Sequence, residues 1–406
     1  MSICPTEYWL WLQCALGAGA KTDELLAYFG DPEKMYNAGS NEWRLSGLLT
    51  NKKIDALKSI SPSETGGIFR ECKQKGYKII TPDSEYYPER FKQLKDMPLV
   101  LYSLGDASVL KDTVSIGVVG TRDASTYGIE TAQKLSFSLA SCGVTIVSGG
   151  ALGIDSEAHA GAMLAKGRTA AFLGCGLSVD YLRENASLRR AITKYGAVVS
   201  EYAPFTPASR TTFPIRNRLI SGLTLGTLVI EAGIKSGSLI TANFALEQGK
   251  DVFAVPGDIV RSSFDGGNHL IKNGAKPVFS AMDILSEYEY LYGDLIDFSK
   301  ANLSIADVAY VDYRNKKVKQ QVAEVKNEPK EEKTSVAKKE TKIKNELDES
   351  FSAEAKKVYS VLNENPTHID DILRQTSLKM SDVLSALTEL ELMGDVKCTE
   401  GKKYSI

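Results

Sequence analysis

The chain has 406 residues, 43% hydrophobic and 25% charged, with a formal net charge of −2. At roughly 150 residues per domain this allows two or three domains of ordinary soluble composition, and it excludes a disordered, collagenous or membrane-embedded chain. Lys plus Arg is 49 against 51 for Asp plus Glu, so a generally basic surface is absent and any polyanion site has to be a focused patch.

No apolar run approaches the roughly 18 residues of a spanning helix. The opening MSICPTEYWLWLQ has no basic region ahead of its apolar stretch. The expectation is a cytoplasmic protein with no membrane partner. Cys4, Cys14, Cys72, Cys142, Cys175 and Cys398 are scattered without a CxxC pair and read as incidental thiols. The only histidines are His159, His269 and His368, too few and too dispersed for a zinc site or a histidine-based triad. No metal and no cofactor are expected.

From the N-terminus, residues 1–75 read as short helices, one begun by Tyr8, Leu10, Leu12 and Leu16, another marked by Leu25, Leu26 and Phe29. The run LGAGAKTDELLAYFG is similar to a helix-hairpin-helix, within a helical domain of the SAM type. It is not a Walker A loop, which needs glycine before the lysine and again five residues earlier; here Ala20 and Ala15 stand there. Residues 76–313 change pattern. Short β-rich apolar runs at 114–119, 144–147, 169–173, 197–199, 227–230, 251–255 and 275–279 alternate with helical stretches. That alternation predicts an α/β fold with a mainly parallel, doubly wound sheet. Residues 314–350 are rich in Lys and Glu and poor in apolar side chains, and read as a charged flexible linker. Residues 351–406 recover a core. Val358, Val361 and Leu362 mark one helix, Thr367 and Asp370 a capping box for a second, and Val383, Leu384, Leu387, Leu390 and Leu392 a third. A terminal hairpin turning at Glu400–Gly401 completes a winged helix-turn-helix. Its third helix turns Ser381, Asp382, Ser385, Thr388 and Glu389 outward, which favours a protein partner over a DNA groove.

The informative residues stand directly after the strands. Gly120-Thr121-Arg122, Ser148-Gly149-Gly150, Gly174-Cys175-Gly176 and Glu231-Ala232-Gly233 with Ser236-Gly237-Ser238 all fall at carboxyl ends. In an open parallel sheet these ends share one edge, where ligands bind. Glycines admit close backbone approach, and helix N-termini favour anions. The dinucleotide fingerprint GxGxxG is missing, since Gly176 is followed by Leu177-Ser178-Val179. A second feature is the run from Arg210 to Arg218, holding Phe213, Pro214, Arg216 and Asn217 in an otherwise acidic domain. Guanidinium groups hold phosphates and an aromatic face can stack a base. Arg216 and Arg218 in one helical turn cannot face the same way, so one of the pair is available for a structural role. Lys235 and Lys250 could complete the patch. Asp155, with a default role as a cap, and Glu231 are the carboxylates beside the glycine turns; no paired acids or activated nucleophile is visible.

The segments GVVGTRDASTYG, VSGGALGIDSEAHAGAM, FLGCGL, SEYAPFTP, FPIRNRLISGL, VIEAGIKSGSLITANFALEQGKDVFAVPG and GGNHLIKNGA, in that order, closely resemble the DprA/Smf family of DNA-processing proteins. The likeness is dense from about Val114 to Val278 and extends back to Tyr77. It implies an extended Rossmann-like domain that binds and protects incoming single-stranded DNA in natural transformation and helps load the RecA recombinase. It also implies a homodimer and no catalytic activity. Carried onto this chain, the DNA pocket takes Gly120, Thr121 and Arg122, then Ser148, Gly149 and Gly150, then Phe213 to Arg218, then Ser236, Gly237 and Ser238, with Arg210, Lys235 and Lys250 as looser assignments. After Tyr181 the family usually has proline, and here Leu182 follows.

Two competing readings remain. One is a nucleotide-binding hydrolase similar to the lysine-decarboxylase-like phosphoribohydrolases, whose PGGxGTxxE signature is missing. The other is an interaction scaffold working through the winged helix.

Overall fold

The computed structural model describes residues 3–303, 352–362, 367–376, 378, 382–383, 386–387, 390, 396–399 and 403–405. The chain divides into two compact units, Met1–Val325 and Lys326–Ile406. The expected linker, 314–350, lies outside the described residues.

The first unit opens with five helices, α1 (Pro5–Leu16), α2 (Asp23–Phe29), α3 (Pro32–Leu45), α4 (Asn51–Ser59) and α5 (Gly66–Lys75). Pro5 stands at the first position of α1, where no amide is needed, and Glu7 reaches back to accept from the Cys4 N–H at 2.7 Å. Burial drives the rest. Trp11 is fully buried with its indole N–H on the Leu57 carbonyl at 3.1 Å, and the Trp43 indole donates to Met35 O at 2.6 Å. This core continues into Leu99, Val100 and Tyr102, so the helices and the sheet are packed together.

The sheet has nine strands: β1 (Lys78–Ile80), β2 (Leu101–Gly105), β3 (Ser115–Val119), β4 (Thr145–Ser148), β5 (Thr169–Leu173), β6 (Gly196–Ser200), β7 (Gly226–Val229), β8 (Asp251–Ala254) and β9 (Lys276–Pro277). Their order is β1-β2-β6-β5-β4-β3-β7-β8-β9. From β6 to β9 every pairing is parallel; β1 and β2 add an antiparallel flank. Helices α6 (Thr126–Ser141), α7 (Ile154–Leu164) and α12 (Met282–Tyr292) cover one face; α9 (Thr212–Leu223), α10 (Ser238–Glu247) and α11 (Asp265–Lys272) cover the other, and α8 (Ala186–Ile192) packs beside β5 and β6. Alternation within strands feeds both cores: Ile116 and Val118 face α6 and α7, while Val119 joins the other layer. Gly117 lies among Ile220, Thr224 and Thr227.

After the β1–β2 flank the chain enters the parallel part at β3, winds outward through β4, β5 and β6, and then returns to β7 on the other side of β3. The β3–β7 boundary is therefore the switch point, and its carboxyl edge is where an open sheet leaves a crevice.

The second unit contains α13 (Ala353–Val361), α14 (Ile369–Thr376) and a three-stranded sheet of β10 (Thr367–His368), β11 (Lys397–Thr399) and β12 (Lys403–Ser405), ordered β10-β12-β11. Ser352 caps α13 by accepting from Ala355 N at 3.1 Å. Thr367 and His368 pair with β12 and α14 is described from Ile369; the side chain of Asp370, the second half of the expected capping box, lies outside the description. Val383, Ala386, Leu387 and Leu390 are helical and buried with Val358, Leu362 and Ile372. Of the outward residues read for that helix, only Asp382 is described; Ser381, Ser385, Thr388 and Glu389, with Leu384, Leu392 and the Glu400–Gly401 turn, lie outside the described residues.

Candidate nucleic-acid interface

Three loops meet at the switch point because glycines let them. The Thr121 amide donates to the Glu231 carbonyl at 2.8 Å, joining the turns after β3 and β7. The Ile154 amide donates to Thr121 O at 3.2 Å, which brings in the turn after β4. A Cβ on Gly120 would stand 2.5 Å from Ile154 Cγ1. One on Gly153, whose φ is +74°, would stand 2.5 Å from the carbonyl oxygens of both Thr121 and Arg122. Glu231 stays structural: its carboxylate accepts from Ser125 N at 3.0 Å and Ser125 Oγ at 2.8 Å, bracing the start of α6.

The crevice has a volume of about 390 Å³, and its wall includes Gly120, Thr121 and Arg122, then Phe213, Pro214, Arg216 and Asn217, then Ser236, Gly237 and Ser238. Helix α9 brings the second group and the N-terminus of α10 the third. Ser236 Oγ and Ser238 Oγ are 2.7 Å apart, and Asn217 Nδ2 donates to the Gly237 carbonyl at 3.3 Å, tying α9 to the α10 N-terminus. Hydroxyls and amides at the start of a ten-residue helix suit an anion.

Two guanidinium groups serve this wall differently. Arg122 is exposed, with Cζ 5.1 Å from the centre of the Phe213 ring. Arg216 is only 5% exposed and is held from below by the Gly149 carbonyl at 2.7 Å and by the Phe172 carbonyl. Its Nε finds no partner among the described residues. Burial holds the Arg216 guanidinium below its usual pKa; Asp155 opposes that fall and Arg122 adds to it. Asp155, buried at the start of α7, is raised by burial against the pull of Arg216. It also lines the crevice, so the cap expected from its position is a buried counter-charge instead.

The Phe213 ring lies against Gly174, whose Cβ would be 2.7 Å from it, and 5.4 Å from the Tyr181 ring. Leu182, next to Tyr181, has φ +48°, a conformation closed to proline.

Several expected residues are not brought to the crevice. Ser148 is fully buried with Oγ donating to Val118 O at 2.6 Å. Gly149 supports Arg216, and Gly150 gives its carbonyl to Asn185 Nδ2 at 3.1 Å. Arg218 points away, with Nη2 2.8 Å from both Glu201 carboxylate oxygens. Lys250 precedes β8 and so stands at the opposite, amino edge of the sheet, beside Arg90. Arg210 and Lys235 are exposed outside the wall. Val119, Asp123, Ala151, Ile220, Ile240 and Thr241 complete the lining; they lie within the family-like segments, but their side-chain chemistry does not single them out as site residues. Among the described residues there is no cluster of three potential metal ligands, and no helix is long and apolar enough to cross a membrane.

A doubly wound sheet with glycine turns, two guanidinium groups and a helix N-terminus converging on its switch point defines an anion-binding protein of the Rossmann-like class. The family model for DNA recombination-mediator protein A matches residues 78–289, and that for the DprA winged-helix domain matches residues 343–402. The chain is 42% identical over 215 residues to DNA processing protein DprA of Bacillus subtilis, covering 53% of this chain and 72% of that one. It is 34% identical over 365 residues to Protein Smf of Synechocystis, covering 88% and 86%. The crystal structure of DprA from Streptococcus pneumoniae superposes with a TM-score of 0.62 at 32% identity, over 71% of this chain and 99% of that one. The chain belongs to the DNA recombination-mediator protein A family, that of DprA and Smf.

Proposed function

We propose that this protein binds single-stranded DNA in the switch-point crevice and acts as a non-enzymatic mediator that protects incoming strands and hands them to the RecA recombinase in transformation. One observation carries the reading: Arg122, Arg216 and the Ser236–Ser238 helix start line one open wall around Phe213. Charged forks and helix amides suit backbone phosphates, and Phe213 with Arg122 above it offers a base a flat surface. The DNA set is narrowed to Gly120, Thr121, Arg122, Phe213, Pro214, Arg216, Asn217, Ser236, Gly237 and Ser238. Arg210 and Lys235 stand as outer contacts for flanking phosphates. In this reading residues 76–313 form the DNA-binding domain, 1–75 and 351–406 are accessory modules, the latter joined through 314–350, and the protein works in the cytoplasm as a homodimer.

The test is fluorescence anisotropy with labelled oligo-dT, competed by blunt duplex and by mononucleotides. Tight, salt-sensitive binding that neither competitor displaces is expected. Displacement by a mononucleotide at low concentration would move the assignment to a small-molecule pocket of the hydrolase kind.

A further inference from the structure

Helix α9 carries the crevice residues Phe213, Arg216 and Asn217 on one side and is clamped on the other. Arg218, two positions from Arg216 and so on the opposite face of the helix, has a side chain only 2% exposed. Its Nη2 lies 2.8 Å from both oxygens of Glu201, itself 2% exposed, and its Nε lies 3.2 Å from Asp96 Oδ2. The same Glu201 Oε1 accepts from the Gly19 amide at 3.2 Å, and the Glu201 backbone carbonyl accepts from Gln13 Nε2 at 3.1 Å. Three residues on, the Thr22 amide donates to Lys95 O at 3.2 Å, next to Asp96.

Gly19 is the close approach in this clamp. Its φ is +75°, and a Cβ there would stand 2.8 Å from Ile215 Cγ2 on α9. The Gly17–Ala20 turn is the glycine turn of the helix-hairpin-helix-like run. Its Gly19 amide is committed to Glu201 rather than presented to a phosphate.

From this we infer that the turn at Gly19, with Glu201 and Arg218, is the positioning element of the crevice: the helical segment acts on DNA through α9 and not by touching the strand itself. The inference rests on the single-strand reading of the crevice. A helix moves as a unit, so a clamp on the Arg218 face sets where Arg216 and Phe213 sit on the other. Glu201 joins the two sides, because one buried carboxylate serves both the helical turn and the arginine.

The experiment uses the full chain and labelled oligo-dT. Gly19→Ala should fold, by circular dichroism and a cooperative urea transition, and bind about fivefold or more weakly, the size expected of coupling between distinct sites. Adding Ile215→Ala removes the atom that the new Cβ meets, and the double variant should recover most of the affinity. A folded Gly19→Ala chain with wild-type affinity overturns the inference, and so does a loss that Ile215→Ala fails to relieve. Should Gly19→Ala not fold, the near-isosteric Glu201→Gln takes its place with the same expected loss and the same overturning result. Wild type and Arg122→Ala, run alongside, separate the two levels. A wild-type chain without oligo-dT affinity sinks the crevice reading and this inference with it. Binding that Arg122→Ala weakens and the clamp variants leave untouched sinks only the clamp.

Discussion

In the proposed reading Arg122 is the residue on which binding turns, because its guanidinium is exposed at the crevice rim and rests against the Phe213 ring. An exposed cation–π contact contributes about 0.5–1 kcal/mol, so Arg122→Ala should barely lower the urea midpoint. A lost charge-assisted phosphate contact is worth about 1.5–3 kcal/mol, so oligo-dT affinity should fall at least about tenfold. The slope of log K against log salt should shrink by about 0.7. A folded variant with an unchanged isotherm removes Arg122 from the site. His159, fully buried beneath the site, bears instead on stability in acid. Thr169 Oγ1 donates to Ile146 O at 2.7 Å, so it accepts from His159 Nδ1–H at 2.7 Å, and the imidazole is neutral, its Nε2 without a partner among the described residues. Burial pushes its pKa down to about 3. The unfolded chain takes up that proton below about 6.5 and the folded one does not, so stability falls as pH drops from there toward 3. At pH 5 the loss amounts to about 2 kcal/mol. Asp155 and Glu201 run the other way, because their raised carboxyls bind protons earlier in the folded state and gain stability on acidification. Comparing variants isolates the histidine: the urea midpoints of wild type and His159→Gln should converge from pH 7 to pH 5. Parallel curves would show that His159 does not carry the acid sensitivity.

Among the elements, the turns are what place the chemistry, and they are also the most legible part of the sequence. Glycine next to a β-rich run announces a carboxyl-edge turn, and so Gly120–Arg122 and Ser236–Ser238 can be placed from residue order alone. The contribution of the turns to stability is testable at Gly153. Its positive φ and the 2.5 Å approach of two carbonyl oxygens leave no room for a Cβ. Gly153→Ala should therefore cost about 1–3 kcal/mol in urea denaturation; a loss within error would mean that the α7 start relaxes freely. Other elements are illegible for physical reasons. A two-residue spacing says that Arg216 and Arg218 face apart but not which one meets the crevice; that depends on Glu201, 17 residues upstream in the chain. Asp155 looks like a cap because helix starts favour such residues, and nothing local reveals that Arg216 comes to lie beside it. Lys250 could have been placed from the sequence, since a residue ahead of a strand in a parallel sheet lies at the amino edge. The antiparallel β1 and β2 escape notice because the three- and five-residue strands are separated only by a short 3-10 turn at Glu89–Gln93, with no α-helix to signal a unit.

Across the full chain, a net charge of −2 decides how binding must behave. No diffuse positive field is available to attract duplex, so affinity has to come from the few phosphates that the crevice can hold. Three or four contacts predict a log–log salt slope of about −2 to −3 for single strands, at about −0.7 each. In the proposed reading the two units divide the work. The crevice is built wholly within the unit Met1–Val325, and the winged-helix unit carries its own core of Val358, Leu362, Ile372 and Leu387. Deleting residues 351–406 should then leave the oligo-dT isotherm and its salt slope within about twofold of the full chain, a difference of about 0.4 kcal/mol. Capture of a protein partner is where the truncated chain should fall short, as the deleted segment's charge balance of seven basic against nine acidic residues suits a protein surface better than a phosphate backbone. A truncated chain that loses oligo-dT binding, measured by anisotropy at two salt concentrations, would transfer the main interface to the winged helix and leave the crevice a supporting role.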